Sequence, residues 1–79
     1  MSSHIQPEPK TVDKYNDLMA QIRQGKADAN ASYADLGKAM NRTRLNAIHL
    51  VGSDNISLKN FISLANAVGL EVTLSKSDQ

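Results

Sequence analysis

Apolar side chains recur at helical spacing along most of the 79-residue chain, and the breaks between them divide it into four segments. Val12, Tyr15, Leu18, Met19 and Ile22 follow the i, i+3, i+4, i+7 rule and predict a first helix with one apolar face. Thr11 is placed to cap it, with Asp13 in its first turn. Its end is open: Gly25 either stops it or only weakens it, because the alanines of "GKADANA" let it run on. Ser32 starts the next element. "SYAD" has the capping-box pattern with Asp35 at its third position, and Leu36, Ala39 and Met40 turn one face inward.

Asn41 tolerates the left-handed conformation that ends a helix. Thr43 then caps a third helix that carries Ala47, Ile48, Leu50 and Val51. "GSDN" is a loop. Ser57 caps a fourth helix with a wide apolar face formed by Leu58, Phe61, Ile62, Leu64, Ala65 and Val68. Gly69 stands where a helix C-terminus wants glycine. In "LEVTLS", residues 70–75, the period changes to two: Leu70, Val72 and Leu74 alternate with polar residues and predict a short half-buried strand. The rest of the chain offers no second strand to pair with it. Residues 1–10, with Pro7 and Pro9, read as a flexible arm; residues 11–75 read as one domain and 76–79 as a tail.

Composition narrows the chemistry. Cysteine is absent, which removes disulfides, thiolate zinc sites and a cysteine nucleophile. The two histidines, His4 and His49, make no metal cluster by themselves. Asp13 and Asp17 share a helix face, yet no glycine-rich phosphate loop, activated nucleophile or metal set accompanies them, so a solvated face explains them and no enzyme, metal or cofactor is expected. No apolar run approaches the roughly 20 residues that span a bilayer, and "MSSHIQPEPK" lacks the apolar stretch of a signal peptide. The expectation is a cytoplasmic protein without a membrane partner. Aromatic residues make up 4% of the chain, so the core rests on aliphatic side chains and is thin, a situation that oligomerisation commonly relieves.

Net charge is only +1, but residues 36–50 hold Lys38, Arg42, Arg44 and His49 and no acid. Such a window is either a solvated helix face or a cationic patch suited to phosphates. Two short helices joined by a tight turn meet the demand of a helix-turn-helix. Gly37 then lies where the helices cross closely, and Leu36, Met40, Ala47 and Leu50 fix the crossing. By position in that motif, Arg44, Leu45 and His49 face the major groove. Arg44 has the fork that pairs with guanine O6 and N7, and Leu45 can meet a thymine methyl. Tyr33, Lys38, Arg42, Thr43, Asn46 and Asn55 are candidate phosphate contacts, which position without specifying sequence. For Tyr33 and Leu45 plain packing is the competing explanation, for Asn55 a plain turn, for Arg44 a phosphate contact or a free surface position, and for His49 simple partial exposure on the helix.

From about Ser32 to Leu74 the chain resembles the lambda-repressor-like (Cro/C1, XRE) helix-turn-helix DNA-binding family. "YADLGKAMNRTRLNAIHLV" carries the likeness to its helix-turn-helix, and "SLKNFISLANAVGL" to the helix that follows. Gly37 in place of alanine, Asn41 in place of glycine and Arg42 in place of an apolar residue depart from the family pattern. The ending "GLEVTLS" is closest to the small HipB/HigA-type antitoxin regulators, in which a C-terminal strand pairs with its twin. The resemblance implies a mainly α domain of four to five helices, with the strand pairing across a homodimer through Leu70, Val72, Thr73 and Leu74. It also implies a dimeric repressor, or autorepressor, bound to an inverted repeat in double-stranded DNA. Two alternatives are an antitoxin that represses its own operon and binds a cognate toxin, and a protein-binding module without DNA binding.

Overall fold

The computed structural model describes residues 8–76. The candidates at residues 1–7, His4 included, and at 77–79 lie outside that range. The described chain is mainly helical: α1 runs Pro9–Asp28, α2 Tyr33–Ala39, α3 Arg44–Val51 and α4 Leu58–Ala67.

Local chemistry sets most of these limits. Ser32, Thr43 and Ser57 each occupy an extended N-cap and accept a hydrogen bond from the backbone N–H three residues on, at 3.0, 3.0 and 3.2 Å. At Ser32 the box is reciprocal, because its own N–H donates to the Asp35 carboxylate at 2.9 Å. Three helices end alike. Asn30, Asn41 and Gly69 take positive φ values of 53°, 57° and 81°. The residue after each donates its N–H back to a carbonyl five residues earlier: Ala31 to Lys26, Arg42 to Gly37 and Leu70 to Ala65. This six-to-one bond, with the shorter bond beside it, is the Schellman arrangement.

α1 departs from expectation at both ends. It begins at Pro9, so residues 9 and 10 belong to the helix and not to an arm. Glu8 is its N-cap, without a side-chain bond, and Thr11 lies inside the helix. Proline's fixed φ suits the first helical position and its missing N–H costs nothing there. At the other end the helix passes through Gly25 and stops at Asn30.

All four helices contribute to one core of Met19, Ile22, Leu36, Ala47, Val51, Leu64, Ala65 and Val68. Met40 and Leu50 are half-buried and pack against it, whereas Ala39, expected inward, is exposed. Leu58 (69% exposed) and Ile62 (39%) also face outward, so the buried part of α4 is narrower than its apolar face. A cross-chain tie holds the bundle: the Tyr15 hydroxyl donates to the Ser53 carbonyl at 2.7 Å and accepts from the Ile56 N–H at 3.1 Å, joining α1 to the α3–α4 loop.

Among the described residues no strand forms. Residues 70–76 leave α4 without regular secondary structure, because a strand exists only as part of a ladder and no other described segment pairs with them. Nor is the predicted alternation followed by burial. Val72 packs against the core, Leu70 is 37% exposed and Leu74 is 98% exposed. The segment runs beside α1 and α4 and leaves a groove of about 600 Å³, walled by Leu18, Ile22, Leu58, Phe61 and residues 70–75 among others.

Candidate functional site

The turn between α2 and α3 depends on Gly37. A β-carbon there would lie 2.8 Å from the carbonyl oxygens of both Arg42 and Thr43, which are backbone atoms with no rotamer to escape into. The absence of a side chain lets the turn close over α2, and the left-handed Asn41 makes the reversal. Thr43 then starts α3 with its hydroxyl oxygen bonded to the Asn46 N–H. Its hydroxyl hydrogen remains available for donation.

α3 buries Ala47 and Val51. At about 100° per residue, Leu45 and His49 lie on the opposite side, about 40° apart. Both are exposed, Leu45 at 61%. Arg44, also exposed, sits at the first position of the helix, about 100° round from Leu45 and on the same side as Val51 seven residues later. The fold therefore brings Leu45 and His49 together, with Arg44 beside the start of the same helix. An exposed leucine between two cationic or titratable side chains is not part of the core, which removes packing as the account of Leu45.

The phosphate candidates divide into three kinds. Lys38 and Asn55 are exposed, Lys38 in the last turn of α2 and Asn55 in the α3–α4 loop, where its N–H donates to the Ser53 hydroxyl at 3.1 Å. Tyr33 is half-buried against the core, and the Lys26 ammonium lies 4.2 Å from the centre of its ring, so its ring is occupied by packing and a cation–π contact that joins the ends of α1 and α2. Arg42 and Asn46 are bonded to each other. The Arg42 guanidinium donates to Asn46 Oδ1 at 3.1 Å and, with its other arm, to Asn60 Oδ1 at 2.8 Å. One side chain in the turn thus holds the first turns of α3 and α4. Asn60 carries no sequence signal for this role: the partners lie 18 residues apart and no local pattern links them.

In the first turn of α2 one acid is tuned. The backbone N–H of Ser32, then its side chain, hydrogen-bond to Asp35, and Lys38 and Lys26 add positive charge nearby; together these hold its carboxyl below the usual aspartate range. The charge serves the start of α2. On α1, Asp17 accepts from Gln21 at 3.2 Å and pairs with Lys14 at 3.8 Å, all in solvent.

Among the described residues no group of three or more His, Cys, Asp or Glu could hold a metal ion. No helix there is long and apolar enough to cross a membrane. Comparison with protein-family models, with curated proteins and with solved structures gave no match.

Proposed function

We propose that this chain is a sequence-specific DNA-binding transcriptional regulator of the helix-turn-helix kind, acting as a dimeric repressor on an inverted repeat. The observation that carries this reading is the solvent face of α3. Leu45 and His49 project from the side of α3 opposite its buried residues, Arg44 is exposed at its first position, and Lys38 and Arg42 stand on the preceding helix and turn, with no acid from 36 to 50. α3 enters the major groove, Arg44, Leu45 and His49 meet base edges, and Lys38, Thr43, Asn46 and Asn55 approach phosphates. No catalytic step is part of this function.

Dimerisation falls to residues 70–75. Their backbone has no ladder partner among the described residues, and Leu74 is almost wholly exposed beside the groove. The same segment of a second copy, antiparallel about a two-fold axis, satisfies both needs. Exposed Leu58, which lines the groove, and exposed Ile62 one turn further along α4 favour a second reading, in which an antitoxin-type regulator offers that side of α4 to a protein partner.

Footprinting on duplexes selected by the protein from a random pool tests the proposal. The expected pattern is two protected half-sites related by a two-fold axis, their centres roughly 34 Å apart, with affinity falling steeply with salt. A single asymmetric site would overturn the dimer arrangement, and failure to enrich any duplex would overturn DNA binding. Leu74→Asp separates the interface from the fold: it leaves the core untouched, and should shift sedimentation from dimer to monomer and abolish tight operator binding.

A further inference from the structure

The Arg42 guanidinium joins two amides that belong to different helices, and its chemistry fixes how both are turned. Arginine has donors only, so an asparagine beside it must present its oxygen. Asn46 and Asn60 do so, at 3.1 and 2.8 Å. Each amide oxygen is thereby directed at Arg42, and each NH2 group is directed away from it. Holding three long polar side chains in one arrangement at the surface costs conformational entropy and returns little stability. The same arrangement is valuable for binding, since side chains already ordered lose less freedom when a ligand arrives.

Resting on the DNA-binding function proposed above, we propose that Arg42 is a positioning residue: it orients Asn46 and Asn60 so that their amide N–H groups donate together to the phosphate backbone of the DNA. Asn60 thereby becomes a contact residue that brings α4 into the interface. Arg42 contributes through the shape of its fork more than through its charge. Arginine and lysine separate these contributions, because lysine keeps the charge as a single point and cannot hold two acceptors in a fixed plane.

The test is fluorescence anisotropy of a labelled, mixed-sequence DNA duplex at low salt, with Arg42→Lys, Asn60→Ala and the double variant. Loss of a hydrogen bond to a charged phosphate predicts that Asn60→Ala weakens binding about tenfold. Arg42→Lys should weaken it to a similar degree, although net charge is unchanged, with the slope of affinity against salt kept. The double variant should be little weaker than Arg42→Lys alone, since both changes disable the same contact. Binding by Arg42→Lys equal to that of the parent chain overturns the proposal and leaves the DNA-binding function intact, because charge alone then suffices. Independent, multiplicative losses overturn it as well. Loss of helical circular dichroism in Arg42→Lys would make the guanidinium a group that holds the fold, again overturning the proposal. A parent chain that binds no duplex removes the DNA-binding function itself, and the positioning role with it.

Discussion

Gly37→Ala should be the most damaging small substitution in the chain, and its size follows from two opposed effects. Alanine is the better helix former, which favours the variant by about 1 kcal/mol. Against this, the new β-carbon meets the Arg42 and Thr43 carbonyl oxygens at 2.8 Å. Overfilling a packed site costs about 1–3 kcal/mol, and the upper part of that range applies here because the atoms met are backbone. A net loss of about 1–2 kcal/mol follows, or a fall in Tm on the order of 10 °C for a domain of this size.

Thermal unfolding by circular dichroism measures it, and Gly52→Ala is the control. A β-carbon at 52 meets only the Ile48 carbonyl, at 3.5 Å, and the backbone there has a φ of −90° that alanine adopts freely. That variant should keep or slightly raise Tm, through the lower entropy of its unfolded chain. A Gly37→Ala protein as stable as its parent would refute the close approach of the turn to α2.

Other expectations are smaller in scope. Tyr15→Phe removes both bonds that tie α1 to the α3–α4 loop and should cost about 1–3 kcal/mol in urea unfolding; an unchanged midpoint would show that water replaces the hydroxyl. Asp35 holds its proton less tightly folded than unfolded, so its stabilisation is complete above the ordinary aspartate pKa of about 3.9 and is lost as pH falls through the lower folded value. Asp35→Asn should therefore flatten the acid limb of Tm against pH, and an unaltered limb would count against the capping box. On the proposed function, Arg44→Ala should cost about 1–3 kcal/mol at the operator and relax preference at one base pair per half-site, whereas Lys38→Ala should weaken all duplexes alike and reduce the salt slope.

The parts of the fold legible in the sequence are those decided within a few residues. Ser32, Thr43 and Ser57 cap their helices as their identity demands, and Asn41 and Gly69 end them. What the sequence hides depends on distant partners. α1 continues through Gly25 because a mid-helix glycine costs only about 1 kcal/mol, and its stop at Asn30 is one of several equivalent choices in a run of alanine, aspartate and asparagine. The apolar period of α4 gives the direction of its face but not the width that neighbours cover, so Leu58 and Ile62 turn out exposed. For the candidate site, apolar residues lie nearly all round α3, so its period does not mark the outward face, and Leu45 is exposed although apolar; the Arg42 network and the Tyr15 tie span 18 and 38 residues and have no local trace.

The helix stops and the glycines work as pairs, and this explains how a thin core can hold four helices. Two of the three left-handed residues, Asn41 and Gly69, send the chain back over a helix that precedes them, and bring backbone or branched side chains very near that helix. Asn41 turns the chain so that the Arg42 and Thr43 carbonyls press on α2, and Gly37 is the residue beneath them. Gly69 turns the chain so that Val68 and Leu70 press on α1, where Gly25 lies beneath: a β-carbon there would meet their side chains at 3.0 and 3.1 Å. The two approaches differ in how much they resist change. At Gly25 the neighbours are the ends of side chains, which can move by a few tenths of an ångström; at Gly37 they are main chain. The placement of α3, and with it the direction of Arg44, Leu45 and His49, is therefore held by the stiffer of the two approaches. The path of residues 70–76 is held by the softer one.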